Sequence, residues 1–175
     1  MMPSRFALLG LALLVLAGCN SVKVNNCPVS VVLADASQVV VFRQGAPQDL
    51  SGEAYRVFLT GTSTSCDINK KNGETNSSLT LNFHATRAPT TDAARFTVPY
   101  FLAVTRSDQM IEKRIVNVTF DFAPGASSAT FTETPDDFDI HLENGHFPYE
   151  YQLMAGFQMT PAQVDYNKKT GRFTP

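Results

Sequence analysis

The amino-acid sequence predicts an all-β fold, an antiparallel β-sandwich of about seven or eight strands closed by one short C-terminal helix. Three observations point there. Short β-branched and aromatic runs alternate apolar and polar residues with a period of two. Clusters of Gly, Pro, Asn, Asp and Ser separate these runs at regular intervals. No long stretch carries helical periodicity, which leaves a two-layered β domain as the architecture that fits.

Residues 1–18 stand apart from that domain and read as a lipoprotein signal peptide. Arg5 gives the positive start, and Phe6 to Ala17 is an apolar stretch of twelve residues interrupted only by Gly10. Crossing a bilayer takes about 20 apolar residues, so this run has signal-peptide length. Leu16-Ala17-Gly18-Cys19 resembles the lipobox of bacterial lipoproteins. That resemblance implies cleavage after Gly18 and lipid chains, palmitate among them, on Cys19. An ordinary secreted protein with a cysteine near its cleavage site is the alternative. Each buried methylene contributes about 0.8 kcal/mol, and about two chains give a stable anchor. Asn20 stands where Asp would retain a lipoprotein in the inner membrane of many Gram-negative bacteria, so the expected site is the outer membrane, facing the periplasm.

Cys19 and a short tether make up residues 19–27. Residues 20–26 reach at most about 25 Å when extended, which keeps the domain close to the lipid. The sandwich itself is assigned to 28–160, and a helix with a tail to 161–175. Val29–Leu33 and Gln38–Phe42 are β-branched runs separated by Asp35-Ala36-Ser37. After a loop with Gly45, Pro47 and Gly52, the alternation of Tyr55, Val57 and Leu59 continues toward Ile68. Its inward parity changes between Leu59 and Cys66, which predicts a one-residue bulge at Gly61. Asn72-Gly73 marks a tight hairpin.

Leu79, Leu81, Phe83 and Ala85 then form the cleanest half-buried strand. Phe96 to Thr105 is apolar on both parities, and Pro99 within it marks an edge position or a bulge. Ser107-Asp108-Gln109 turns the chain into Ile111–Phe122, where Val116, Val118, Phe120 and Phe122 share one face. A loop at 124–128, a short run around Phe131, the alternating Phe138–Leu142, an Asn144-Gly145 turn and a strand from Tyr149 to Met159 complete the set. Thr160-Pro161-Ala162-Gln163 has the residues of a capping box with proline at the first helical position, so 160–169 is read as a helix. Lys168 and Lys169 lie at its favourable negative end.

Without its signal the chain carries 13 basic and 16 acidic residues, net −3, in one domain-sized unit. A nucleic-acid module would need a basic face, and no such excess exists. With Cys19 acylated, Cys27 and Cys66 are left as a pair in an oxidising compartment, where a disulfide is favoured over a nucleophilic thiol. From Ile115 to Asn167 there is no Lys or Arg but there are eight acids. This stretch has three readings: a solvated face, a docking surface for a basic partner, or an acidic pole that turns away from the phosphate-rich bilayer. Docking is assigned to Asp136, Asp137, Asp139 and Glu143.

The order of elements, the Cys27/Cys66 pair, Pro99-Tyr100-Phe101 and Gly156-Phe157-Gln158-Met159-Thr160-Pro161 with Tyr166-Asn167 resemble a group of α-proteobacterial outer-membrane lipoproteins. The resemblance covers most of the chain after the signal. It implies an immunoglobulin-like domain and an envelope location, and it carries no activity. The tryptophan that packs on the disulfide of antibody domains has no counterpart, since the chain contains no Trp.

No nucleophile elbow, Ser-x-x-Lys, His-Glu-x-x-His or phosphate loop is present. His141 and His146 flank the Asn144-Gly145 turn beside several carboxylates, which permits a metal reading. The acidic spacing departs from a calcium loop, and a solvated hairpin is the plainer account, so no metal or cofactor is assigned. The expected function is a non-catalytic binding or scaffolding module with an envelope protein as its partner. The alternative is an envelope enzyme or small-ligand or metal-binding protein whose site is assembled from distant residues.

Overall fold

Alternation along each run dictates two apolar faces, and the computed structural model, which describes residues 27–69, 71–72, 74–142 and 146–170, lays them against each other. One sheet holds, from edge to edge, β1 (Val29–Val32), β9 (Tyr151–Phe157), β5 (Ala94–Arg106) and β6 (Gln109–Phe122). The other holds β2 (Gln38–Phe42), β3 (Glu53–Ile68), β4 (Glu74–Thr86) and a shared edge of β7 (Ser128–Glu133) and β8 (Phe138–His141). Among the described residues nine strands therefore occupy eight positions. The helix α1 (Pro161–Thr170) closes the chain. Cys19, the signal peptide, most of the tether, Glu143, the Asn144-Gly145 turn and the tail beyond Thr170 lie outside the described residues.

The inner faces are those the alternation predicts. Leu79, Leu81, Phe83 and Ala85 from β4 meet Val98, Tyr100, Leu102 and Val104 from β5, with Val118, Phe120 and Phe122 from β6. Phe131 of β7 lies parallel to Phe83 at 5.0 Å and to Phe120 at 4.8 Å, so one ring ties both sheets on that side. The bulge expected at Gly61 is present. Leu59 pairs with Phe83 and Gly61 with Asn82, leaving Thr60 as the extra residue. A second bulge puts Ile111 out of register between Met110 and Glu112.

Two features depart from the expectation. The first is that the sandwich is not wholly antiparallel: β1 runs parallel to β9, while β2 pairs antiparallel with β3 in the other sheet. A single 3-10 turn, Ala34–Ala36, makes the switch. Leu33 still donates its N–H to Ala155 on one side, while Ser37 already accepts from Leu59 on the other. Gly156 lets this turn approach, because a Cβ there would sit 2.8 Å from the Ala36 methyl and 2.9 Å from the Phe101 ring.

The second departure is Pro99, which lies in a central strand and not at an edge or a bulge. Its carbonyl accepts from Gln158 on the β9 side, just past Tyr100–Phe157, the last registered pair of that ladder. The N and C=O of one strand residue point to the same side, so the missing donor falls where β9 is already leaving.

Candidate docking surface

The broken edge β7/β8 organises the acidic residues. β7 pairs with Leu81–Thr86 and β8 with Glu74–Ser77, both on the same side of β4. Between them Thr134-Pro135-Asp136-Asp137 opposes the three residues Ser78–Thr80, so one residue too many must bow outward. Pro135 is buried and fixes the start of the bow, and a proline there needs no ladder partner.

Arg114 of β6 fills the break from the opposite sheet. Its Nη2 donates to the backbone oxygens of Asp136 and Asp137 at 3.5 and 3.2 Å. The guanidinium also lies 3.7 Å from the centroid of the Phe138 ring, a cation–π contact, and its Nε is 3.2 Å from Glu112. With their backbone held this way, the side chains of Asp136 and Asp137 are exposed. Asp139 faces the outer side of β8, and its carboxylate accepts from the Asn76 amide at 2.9 Å. The structure thus brings three of the four assigned docking residues onto one exposed edge.

Arg114 was legible only indirectly. It continues the inward parity of Val116, Val118 and Phe120, and a charge on an apolar face signals a buried partner.

Among the described residues the acids do not form a pole away from the end at which the chain enters. Asp121 is at the far end of β6, Asp136 and Asp137 are midway, and Asp139 and Glu150 lie toward the end at which the chain enters. Asp121 is held by Arg95 through two hydrogen bonds, at 2.7 and 3.1 Å, and that guanidinium keeps its carboxyl below the usual range. The hydrogen bond from the His146 ring, 2.6 Å away, together with the Phe147 N–H, lowers the Glu150 carboxyl.

The histidines have separate environments. His84 stacks on Phe58 at 6.2 Å, His146 pairs with Glu150, and His141 is exposed at the end of β8. An open cleft of about 430 Å³ lies between β6, β8 and the start of β9, with Glu112, Asp139, His141, Met110 and Tyr151 in its wall. Among the described residues no three His, Cys, Asp or Glu side chains converge as a metal site.

Cys27 and Cys66 are bonded, with their Cα atoms 5.5 Å apart, and Thr64 donates to the Pro28 carbonyl beside them. The segment ahead of β1 is thereby fastened to β3 in the opposite sheet. Among the described residues, no helix is long and apolar enough to cross a membrane. In comparisons with known proteins, no family model, curated protein or solved structure matches this chain.

Proposed function

We propose that this chain is a lipid-anchored envelope protein, held at the outer membrane through Cys19, which acts there as a non-catalytic binding or scaffolding module. The observation that supports the reading best is the clamped acidic edge. Asp136, Asp137 and Asp139 are exposed on a strand edge whose backbone Arg114 holds in place. A rigid row of carboxylates suits a basic surface, because complementary charge speeds encounter and fixes register. The strand edge beside it, unpaired among the described residues, offers backbone groups to an incoming segment.

The test is crosslinked co-purification from membranes of wild type and of a variant with Asp136, Asp137 and Asp139 changed to Asn. The partner is expected with wild type, to be reduced in the variant and to weaken with salt, since the Debye length falls from about 10 Å at 0.1 M to about 3 Å at 1 M. A partner recovered equally from both, and insensitive to salt, rejects acidic docking. The anchor is tested separately by the intact mass of the mature chain and by loss of lipid labelling in Cys19→Ser.

The cleft between β6, β8 and the start of β9 favours a second reading, a small-ligand-binding envelope protein or an enzyme. A small ligand that raises the melting temperature of wild type but not of His141→Ala would put that reading first.

A further inference from the structure

Strand directions place one end of the sandwich next to the tether. β1, β4, β6 and β9 begin there, and β3, β5 and β8 finish there. Cys27 enters the fold at that end and is bonded to Cys66 near the foot of β3. Eight large apolar residues are exposed among the described residues, and five of them gather at this end. Val29, Met110, Ile111, Phe147 and Tyr149 are each between 50% and 59% exposed.

Two of the five share one ladder row. Val29 pairs with Gln152, Gln152 with Thr105 and Thr105 with Met110, a width of about 14 Å at 4.8 Å per strand. The bulge turns Ile111 out beside them. The rings of Phe147 and Tyr149 stack at 5.3 Å with only 6° between their planes. A 3-10 turn, Pro148–Glu150, presents them, and the Glu150 carboxylate locks it by accepting from the Phe147 N–H and pairing with His146. A preformed pair of this kind loses little side-chain freedom on contact.

We propose that this end is a shallow lipid-contact surface, so that the domain rests upright on the bilayer. The inference rests on the reading that Cys19 is lipidated. The chain ahead of Cys27 then ends in the membrane after a tether of at most about 25 Å, which holds the apolar end within reach of lipid. Tyrosine suits the headgroup level, with its ring in an apolar layer and its hydroxyl in water. The charges at this end are of both signs, with Asp108 at the β5–β6 turn, Glu112, Asp139 and Arg106 around the cleft, and Lys71 at the β3–β4 turn. This mixture limits the depth to the headgroups and suits a zwitterionic lipid surface.

The chain contains no Trp, so an introduced one reports alone. The mature lipidated protein carrying Tyr149→Trp, Met110→Trp or Leu50→Trp is reconstituted into phosphatidylcholine vesicles with a nitroxide quencher at headgroup depth. Leu50 lies in the β2–β3 loop at the opposite end. The Tyr149→Trp and Met110→Trp proteins should show a blue shift and loss of emission, and the Leu50→Trp protein neither. Two independent reporters keep the outcome readable if one substitution disturbs folding. Water-like emission from both, in protein that floats with the vesicles, overturns the lipid contact and leaves the anchor standing. Protein that does not float overturns both. A blue shift in native membranes but not in lipid vesicles assigns the surface to a protein partner and overturns the lipid reading.

Discussion

Tyr100 lies at the centre of the molecule with 0% of its surface exposed, and its hydroxyl meets no hydrogen-bond partner among the described residues. Burial pushes its pKa up to about 12, with the Glu133 charge adding to the effect and Arg114 opposing it. The unfolded tyrosine ionises near pH 10. The folded state disfavours the phenolate, so this group takes no stability away below about pH 10, and stability falls as pH rises toward about 12. A buried unsatisfied hydroxyl costs about 1–3 kcal/mol. Tyr100→Phe should raise stability by about 1 kcal/mol at neutral pH and soften the alkaline loss. Urea unfolding at pH 7 and in the alkaline range measures both, and a destabilised variant at pH 7 refutes the argument.

At the scale of elements, α1 solves the problem of an open sheet edge. The side-chain amide of Gln163 donates to the Val40 carbonyl at 3.3 Å, and that of Asn167 to the Gln38 carbonyl at 2.9 Å. Four helical residues rise about 6 Å and two strand residues about 6.6 Å, so an i, i+4 pair on the helix matches an i, i+2 pair of carbonyls on β2. The same Gln163 closes the capping box, since its side-chain oxygen accepts from the Thr160 N–H at 2.9 Å while its own N–H donates to the Thr160 hydroxyl. Asn167→Ala should cost about 1–2 kcal/mol and promote edge-to-edge association. Thermal melts with light scattering at several concentrations report the two effects.

The cap was legible in the sequence because every residue that makes it lies within four positions. The alternation of β4 and the Gly61 bulge were legible for the same reason, as properties of one strand. The sheet switch at Ala34–Ala36 was not. Asp35-Ala36-Ser37 announces a turn, but the partners that decide where the next strand goes are Ala155 and Leu59, distant in the chain. Pro99 misled for a related reason: its tolerance depends on where β9 stops.

For the whole molecule, the Cys27–Cys66 bond is the largest single constraint. It spans 39 positions of sequence, for which the chain-entropy estimate is about 4 kcal/mol. Typical domains have only about 5–15 kcal/mol in all. Replacing both cysteines with serine should lower the melting temperature by roughly 10 °C. Calorimetry of the oxidised and the Ser-substituted chains decides the point, and equal melting temperatures would show that β1 is held by packing alone.

That same bond sets the path of mechanical load. Tension on the chain ahead of Cys27 divides at its Cα, where the disulfide branch leaves the backbone. One branch runs through Pro28 into β1, a strand of four residues that a pull would peel from β9. The other crosses covalently to β3, a strand of 16 residues paired with β4 from Arg56 to Ile68. The covalent branch is the stiffer, so it takes the force and spreads it along β3. In single-molecule pulling from the N-terminal side, the oxidised protein should therefore yield in one high-force event. Reduction should add an earlier, weaker one as β1 comes away first.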